Sequence, residues 1–162
     1  MEISYKGSVT VQLMHGNRPY RTLRKSNVGC TPLFTYIARC LAGYYDITAA
    51  PQYIRMFHLA DPSDPDPSTM FNVENETCPA VQLANVSLSS DSSSAKANFE
   101  FIAPSNMIST SASSNLIALY NTQNRSNRDN PSAYIVLDTT PIIVSGDSNV
   151  KILWEMTIEN KN

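Results

Sequence analysis

The chain is 162 residues long and carries a formal net charge of −2, the size of one domain that buries a core without disulfide or metal staples. Charged residues make up 16% of it, well below the usual quarter or so, and serine, asparagine and threonine take their place, a trade that recurs in extracellular and virion-assembly β proteins. Cys30, Cys40 and Cys78 form no close pair and no CxxC, a spacing that suggests neither a disulfide framework nor a zinc site.

The opening "MEISYKGSVTVQLMH" alternates polar and apolar residues and lacks the apolar core of a signal peptide. No run approaches the roughly 18 apolar residues of a membrane span. The expectation is a protein made in the cytoplasm with no membrane association. The sequons at Asn75, Asn85 and Asn124 then follow from composition and not from glycosylation.

Residues 1–28 predict a β-hairpin: Val9, Val11 and Leu13 alternate with Ser8, Thr10 and Gln12, and Gly16 and Asn17 supply the turn. Its second strand gathers Arg18, Arg21, Arg24 and Lys25. Four cations with a single interleaved aromatic, Tyr20, and no glycine make a solvated edge and not a nucleic-acid site, so no nucleic acid is expected as a partner. Residues 31–43 predict the helix. Thr31 caps it, Pro32 suits the first helical position, and Gly43 suits a left-handed stop. Leu33, Phe34, Ile37, Ala38 and Leu41 gather on one face, with Cys40 beside it as a small core residue.

Residues 52–60 predict a strand buried on both sides, with Ile54, Met56 and His58 on one face and Tyr53, Phe57 and Leu59 on the other. Residues 61–69, "DPSDPDPST", predict an extended Asp/Pro surface excursion, because three prolines remove backbone donors and forbid helix. Asp61, Asp64 and Asp66 match no calcium loop. Residues 79–158 supply the remaining strands. A slip at Ala84 and Asn85 predicts a bulge, Ala95, Ala97, Phe99 and Phe101 point inward, and "NLIALYN" and "AYIVLD" read as central strands. The polar loop 121–132 carries Arg125, Arg128 and Asp129, and long polar loops in compact domains are usually functional or disordered. "VKILWEMTIEN" alternates again and places the sole tryptophan, Trp154, in a strand that closes the fold.

Residues 1–60 hold seven Lys and Arg against two acids, and residues 61–162 hold five against twelve. Two surfaces of opposite charge suit head-to-tail contacts between copies, unless the fold intermixes the halves. Catalytic motifs are few. GxSxG, HExxH and a glycine-rich phosphate loop do not occur, and two histidines, His15 and His58, give triads and metal triplets little material. The expectation is a non-enzymatic chain without metal or cofactor.

Three segments, "SNVGCTPLFTYIARCLAG", "APQYIRMFHLAD" and "VKILWEMTIEN", taken in this order, resemble a pattern in small virion proteins of tailed bacteriophages, crAss-like phages among them. The chain departs from that pattern after its "PQYI" strand, where "MFHLADPSDPDPS" replaces a small-residue turn. The resemblance implies a multi-copy, β-rich building block of a tail, neck or collar within the virion, contacting its own copies and other tail or fibre proteins. It carries over no catalytic residue. Read together, the single domain 1–162 is expected to be mainly β, an antiparallel β-sandwich with one short α-helix packed on it. Its candidate interface residues are Arg18, Arg21, Arg24, Lys25, Asp61, Asp64, Asp66, Arg125 and Arg128. Two other roles fit the same sandwich. One is a capsid decoration or head-fibre protein; the other is a glycan-binding module using Tyr44, Tyr45, Tyr53 or the 121–132 loop.

Overall fold

A computed structural model describes residues 2–62, 66, 69–123, 130–137, 141–144 and 148–161. Ten strands run through them: β1 (Glu2–His15), β2 (Arg18–Ser26), β3 (Val28–Gly29), β4 (Tyr53–Phe57), β5 (Glu76–Gln82), β6 (Asn85–Ser90), β7 (Ser94–Ala103), β8 (Leu116–Tyr120), β9 (Ala133–Val136) and β10 (Ser148–Lys161). A single α-helix among the described residues, α1, spans Thr31–Leu41. The strands form two antiparallel five-stranded sheets, ordered β2-β1-β10-β7-β6 and β3-β9-β8-β4-β5. The architecture is a β-sandwich with one helix.

Alternation decides which side chains meet between the sheets. From the first sheet come Val9, Val11, Leu13, Phe101, Val150, Ile152 and Trp154; from the second come Ile54, Met56, Cys78, Ile117, Leu119 and Ile135. The last strand is the middle of its sheet: Trp154 lies opposite Val9 of β1 and Phe99 of β7. Both neighbours precede it in the chain, so its pairing unites the two ends of the sequence.

The second sheet is also covered on its outer face. Phe57, Leu116, Ala118 and Tyr120 point away from the sandwich and pack under Leu59, Met70 and Phe71 of the β4–β5 connection. Residues on either side of the Asp/Pro segment, Leu59 before it and Met70 and Phe71 after it, therefore form a lid over apolar side chains. Asp64 lies outside the described residues. Arg55 shares that outer face and is held by Glu76 at 2.6 Å and by the Gln123 carbonyl.

Three local expectations are corrected. Thr31 is the first helical residue and not the cap; Cys30 holds that position without a side-chain hydrogen bond, and its carbonyl accepts from the amides of Leu33 and Phe34. The slip at Ala84 and Asn85 is no bulge. The chain leaves the second sheet after Gln82 and enters the first at Asn85, so the phase of the alternation changes because the strand changes sheets. His58 is exposed one residue past β4, where its Nδ1 contacts the Ser113 carbonyl at 2.8 Å.

Candidate functional site

The helix stripe read from sequence is wider than the surface it covers. Leu33 is buried and Ile37 packs on the core, whereas Phe34 and Leu41 are exposed. What α1 leaves uncovered defines the site. Its Leu33, Tyr36 and Ile37 form one wall of an apolar groove of about 480 Å³, and Ala97, Met156 and Ile158 on the inner face of the first sheet form the floor. The second sheet does not reach this end of the sandwich.

The groove continues onto β6. In register with β7, Val86 lies opposite Phe99 and Leu88 opposite Ala97, which puts both on the core-facing side of the sheet. Neither is covered, and Leu88 is 81% exposed. An inward position on an edge strand is therefore an outward one in practice, because nothing in the second sheet lies above it.

At the inner end of the groove stands a polar knot. Trp154 is fully buried. Asn27, at the corner where the chain leaves the first sheet for the second, accepts from the indole Nε1 at 3.0 Å and from Tyr5 Oη at 2.8 Å, and donates to the Gly7 carbonyl at 2.9 Å. The 2.8 Å contact to Tyr5 exists in either orientation of the amide; only this one also pairs the indole. Burial raises the Tyr5 pKa above its ordinary value. The ring then packs edge-on against Phe34 at 5.5 Å, which ties α1 to the sheet. Sequence reading missed this knot, although one signal existed: Gly7 is an isolated glycine in an alternating strand, a mark of close approach.

The charged candidates fall elsewhere. Strand alternation splits the basic hairpin, since Arg21 and Lys25 lie opposite Leu13 and Val9 while Arg24 lies opposite Thr10 on the other face. Arg21 donates to the Pro141 carbonyl at 3.3 Å and Arg24 to Ser8 Oγ at 3.2 Å. Arg18 is opposite His15 at the turn. Cations from the basic half meet acids from the acidic half within one chain: Lys6 with Glu159 at 2.6 Å, Arg24 with Glu155 at 4.0 Å. Lys96 and Lys151 add pairs with Glu155 and Glu100. The outer face of the first sheet thus mixes the two halves. Asp61 is exposed, and the Asp66 carbonyl accepts from the amides of Thr69 and Met70. Arg125 and Arg128 lie outside the described residues.

Beyond the helix, Tyr44 and Tyr45 are 71% and 83% exposed and border a shallow depression with Arg39 and Asp46. Thr48 donates to Asp46 through its amide and hydroxyl and holds that carboxyl below its usual range. Tyr53, by contrast, packs against the outer cluster of the second sheet. A serine and histidine also meet: Ser148 Oγ is 3.4 Å from His15 Nδ1, but the serine is fully buried near the stacked rings of His15 and Tyr20.

Among the described residues no group of three or more His, Cys, Asp or Glu is placed to hold a metal ion, and no helix is long and apolar enough to cross a membrane. Comparisons with protein-family models, with curated proteins and with solved structures find no match to the chain.

Proposed function

We propose that the chain is a non-enzymatic structural subunit of a tailed-phage virion, of tail, neck or collar type, present in several copies and docking other tail or fibre proteins. One observation carries this reading: the apolar groove and its continuation on β6 stay open in the single chain. Contiguous open apolar surface of this kind marks a protein contact site. The three segments that resemble small phage virion proteins surround that groove. The first supplies Leu33, Tyr36 and Ile37, the second Pro51, and the third Met156 and Ile158. A capsid decoration or head-fibre role uses the same surface. Because the open surface is apolar and the outer face of the first sheet mixes cations and acids that pair within the chain, assembly depends little on salt, in contrast to the head-to-tail charge contact that the sequence suggests.

Light scattering tests this at about 50 mM and about 500 mM salt, between which the Debye length falls severalfold. A discrete multiple of the 17.9 kDa chain mass at both salts is expected. A monomer throughout overturns the multi-copy reading.

The Tyr44 and Tyr45 depression favours a second reading, a glycan-binding module, since flat exposed aromatics beside an Arg and an Asp are what sugar rings stack on and bond to. Glycan-array binding lost in Tyr45→Ala supports it, and an array without signal removes it.

A further inference from the structure

The four sheet edges differ. β2 carries Pro19 and four cations, β3 has two residues, and β5 carries an exposed Pro79. Proline, charge and shortness are the devices that keep an edge from pairing with another chain. β6, "NVSLSS", has none of them. It is six residues long and uncharged, and it is terminal in its sheet.

We propose that β6 pairs antiparallel with β6 of a second copy, joining two five-stranded sheets into one of ten across a two-fold axis. This rests on the multi-copy reading above and names its contact. The strand is self-complementary in one register, with Ser87 on the axis. Val86 of one copy then stands beside Leu88 of the other on the apolar face, twice, and Asn85 beside Ser89 on the polar face, twice. Within each copy Asn85 is opposite Glu100 and Ser89 opposite Lys96. Each polar row therefore runs from Glu100 of one copy through Asn85 and Ser89 to Lys96 of the other, with opposite charges at its ends. Centring the pair on Leu88 instead places Ser87 beside Ser89 and ends each row at Lys96 and Asn98, without that complementarity. The Ser87 register also covers the exposed Leu88 and makes the two apolar grooves continuous across the axis.

The test uses the full chain. In the proposed register two Ser87 Cα atoms stand about 4.5–5.5 Å apart, within disulfide reach, while two Ser89 Cα atoms are offset by four residues, about 13 Å along the strand. Ser87→Cys is expected to cross-link into dimers on mild oxidation, and Ser89→Cys and the wild type are expected not to. Leu88→Lys is expected to lower the self-association constant by about tenfold or more with unchanged circular dichroism and melting, because position 88 is exposed in the monomer. Equal cross-linking by both cysteine variants, or association untouched by Leu88→Lys, overturns the β6 contact while an associating wild type leaves the multi-copy reading standing. A wild type that stays monomeric at about 200 µM, where even a weak dimer forms, overturns both and leaves the edge to an extended strand of another protein.

Discussion

The indole Nε1 of Trp154 and the side-chain oxygen of Asn27 stand 3.0 Å apart, joining the last strand of the chain to the corner between β2 and β3. Trp154 brings the largest side chain to the core, and its N–H must find a partner when buried. Asn27 supplies that partner from the point where the chain changes sheets. The hydrogen bond therefore fixes the crossover as well as the tryptophan, and with it the start of α1 five residues beyond β2.

Asn27→Ala leaves the buried indole N–H and the Tyr5 hydroxyl without this acceptor. The expected loss is about 1–3 kcal/mol of unfolding free energy. Urea titration followed by the fluorescence of the sole tryptophan measures it directly. A change below about 0.5 kcal/mol, the range of an ordinary surface substitution, removes the knot from the account of stability.

Gly7 makes room for Asn27. A Cβ built on Gly7 falls 1.5 Å from the nearer terminal atom of the Asn27 amide, so Gly7→Ala displaces the amide and breaks its bonds to Trp154 and Tyr5. The expected cost is about 1–3 kcal/mol. In the Asn27→Ala background the same substitution costs less, because the amide is already gone; a coupling of about 0.5–3 kcal/mol in the double-mutant cycle is expected. Additive effects mean that Gly7 acts by some other route.

Periodicity made much of the sandwich legible. Strict alternation at Val9, Val11 and Leu13 and from Val150 to Met156 placed two neighbouring strands and their buried faces, and the continuous run Leu116–Tyr120 announced a strand covered on both sides. Alternation reports only which side of a strand is apolar, however, and not whether anything lies above it. Val86 and Leu88 obey the pattern and remain exposed; Phe34 and Leu41 fit the helix stripe and face solvent. The open site was invisible for that reason. The Asn27 knot was hidden differently, since its members are brought together from positions 5, 7, 27 and 154 by the crossover, and local pattern carries no information about crossovers.

Arg55 and Glu76 form an ion pair whose side chains are nearly withdrawn from water. Taking two charges out of water costs more than an exposed pair returns, and losing one partner strands the other. Glu76→Gln is expected to destabilise by about 3–5 kcal/mol, whereas Arg55→Met combined with Glu76→Leu costs less than Glu76→Gln alone. Thermal unfolding of the single and double variants checks the order. A double variant worse than both singles shows that the charges stabilise the fold in themselves.

Burial pushes the Cys78 thiol up to about 12 from its ordinary 9.0, with the nearby Glu76 carboxylate adding to the effect and Arg55 opposing it. The folded chain thus holds the proton more tightly than the unfolded one. Stability from this group is complete below about pH 9 and is lost as pH rises toward about 12. Unfolding free energy is expected to decline across that window, with a shallower decline in Cys78→Ala. In a Cys30→Ser, Cys40→Ser background, Cys78 should resist a thiol reagent at pH 8 until the chain unfolds. Rapid labelling of the native protein contradicts the burial of this thiol.

Phe71 decides whether the β4–β5 connection is a surface excursion or part of the core. Its ring lies edge-on to Phe57 at 6.0 Å and to Tyr134 at 5.4 Å, and with Met70 it covers the outer face of the second sheet. A solvated Asp/Pro loop tolerates truncation here within about 0.5 kcal/mol. A lid does not: Phe71→Ala opens a cavity over Phe57, Leu116 and Ala118, and about 3–4 kcal/mol is expected to be lost. Native-state hydrogen exchange adds the spatial test. If the lid holds the outer face, the amides of β4 and β8 lose protection in this variant while those of β1 and β10, on the far sheet, change only by the global loss. Uniform loss of protection across both sheets shows that the lid and the sandwich unfold as one unit.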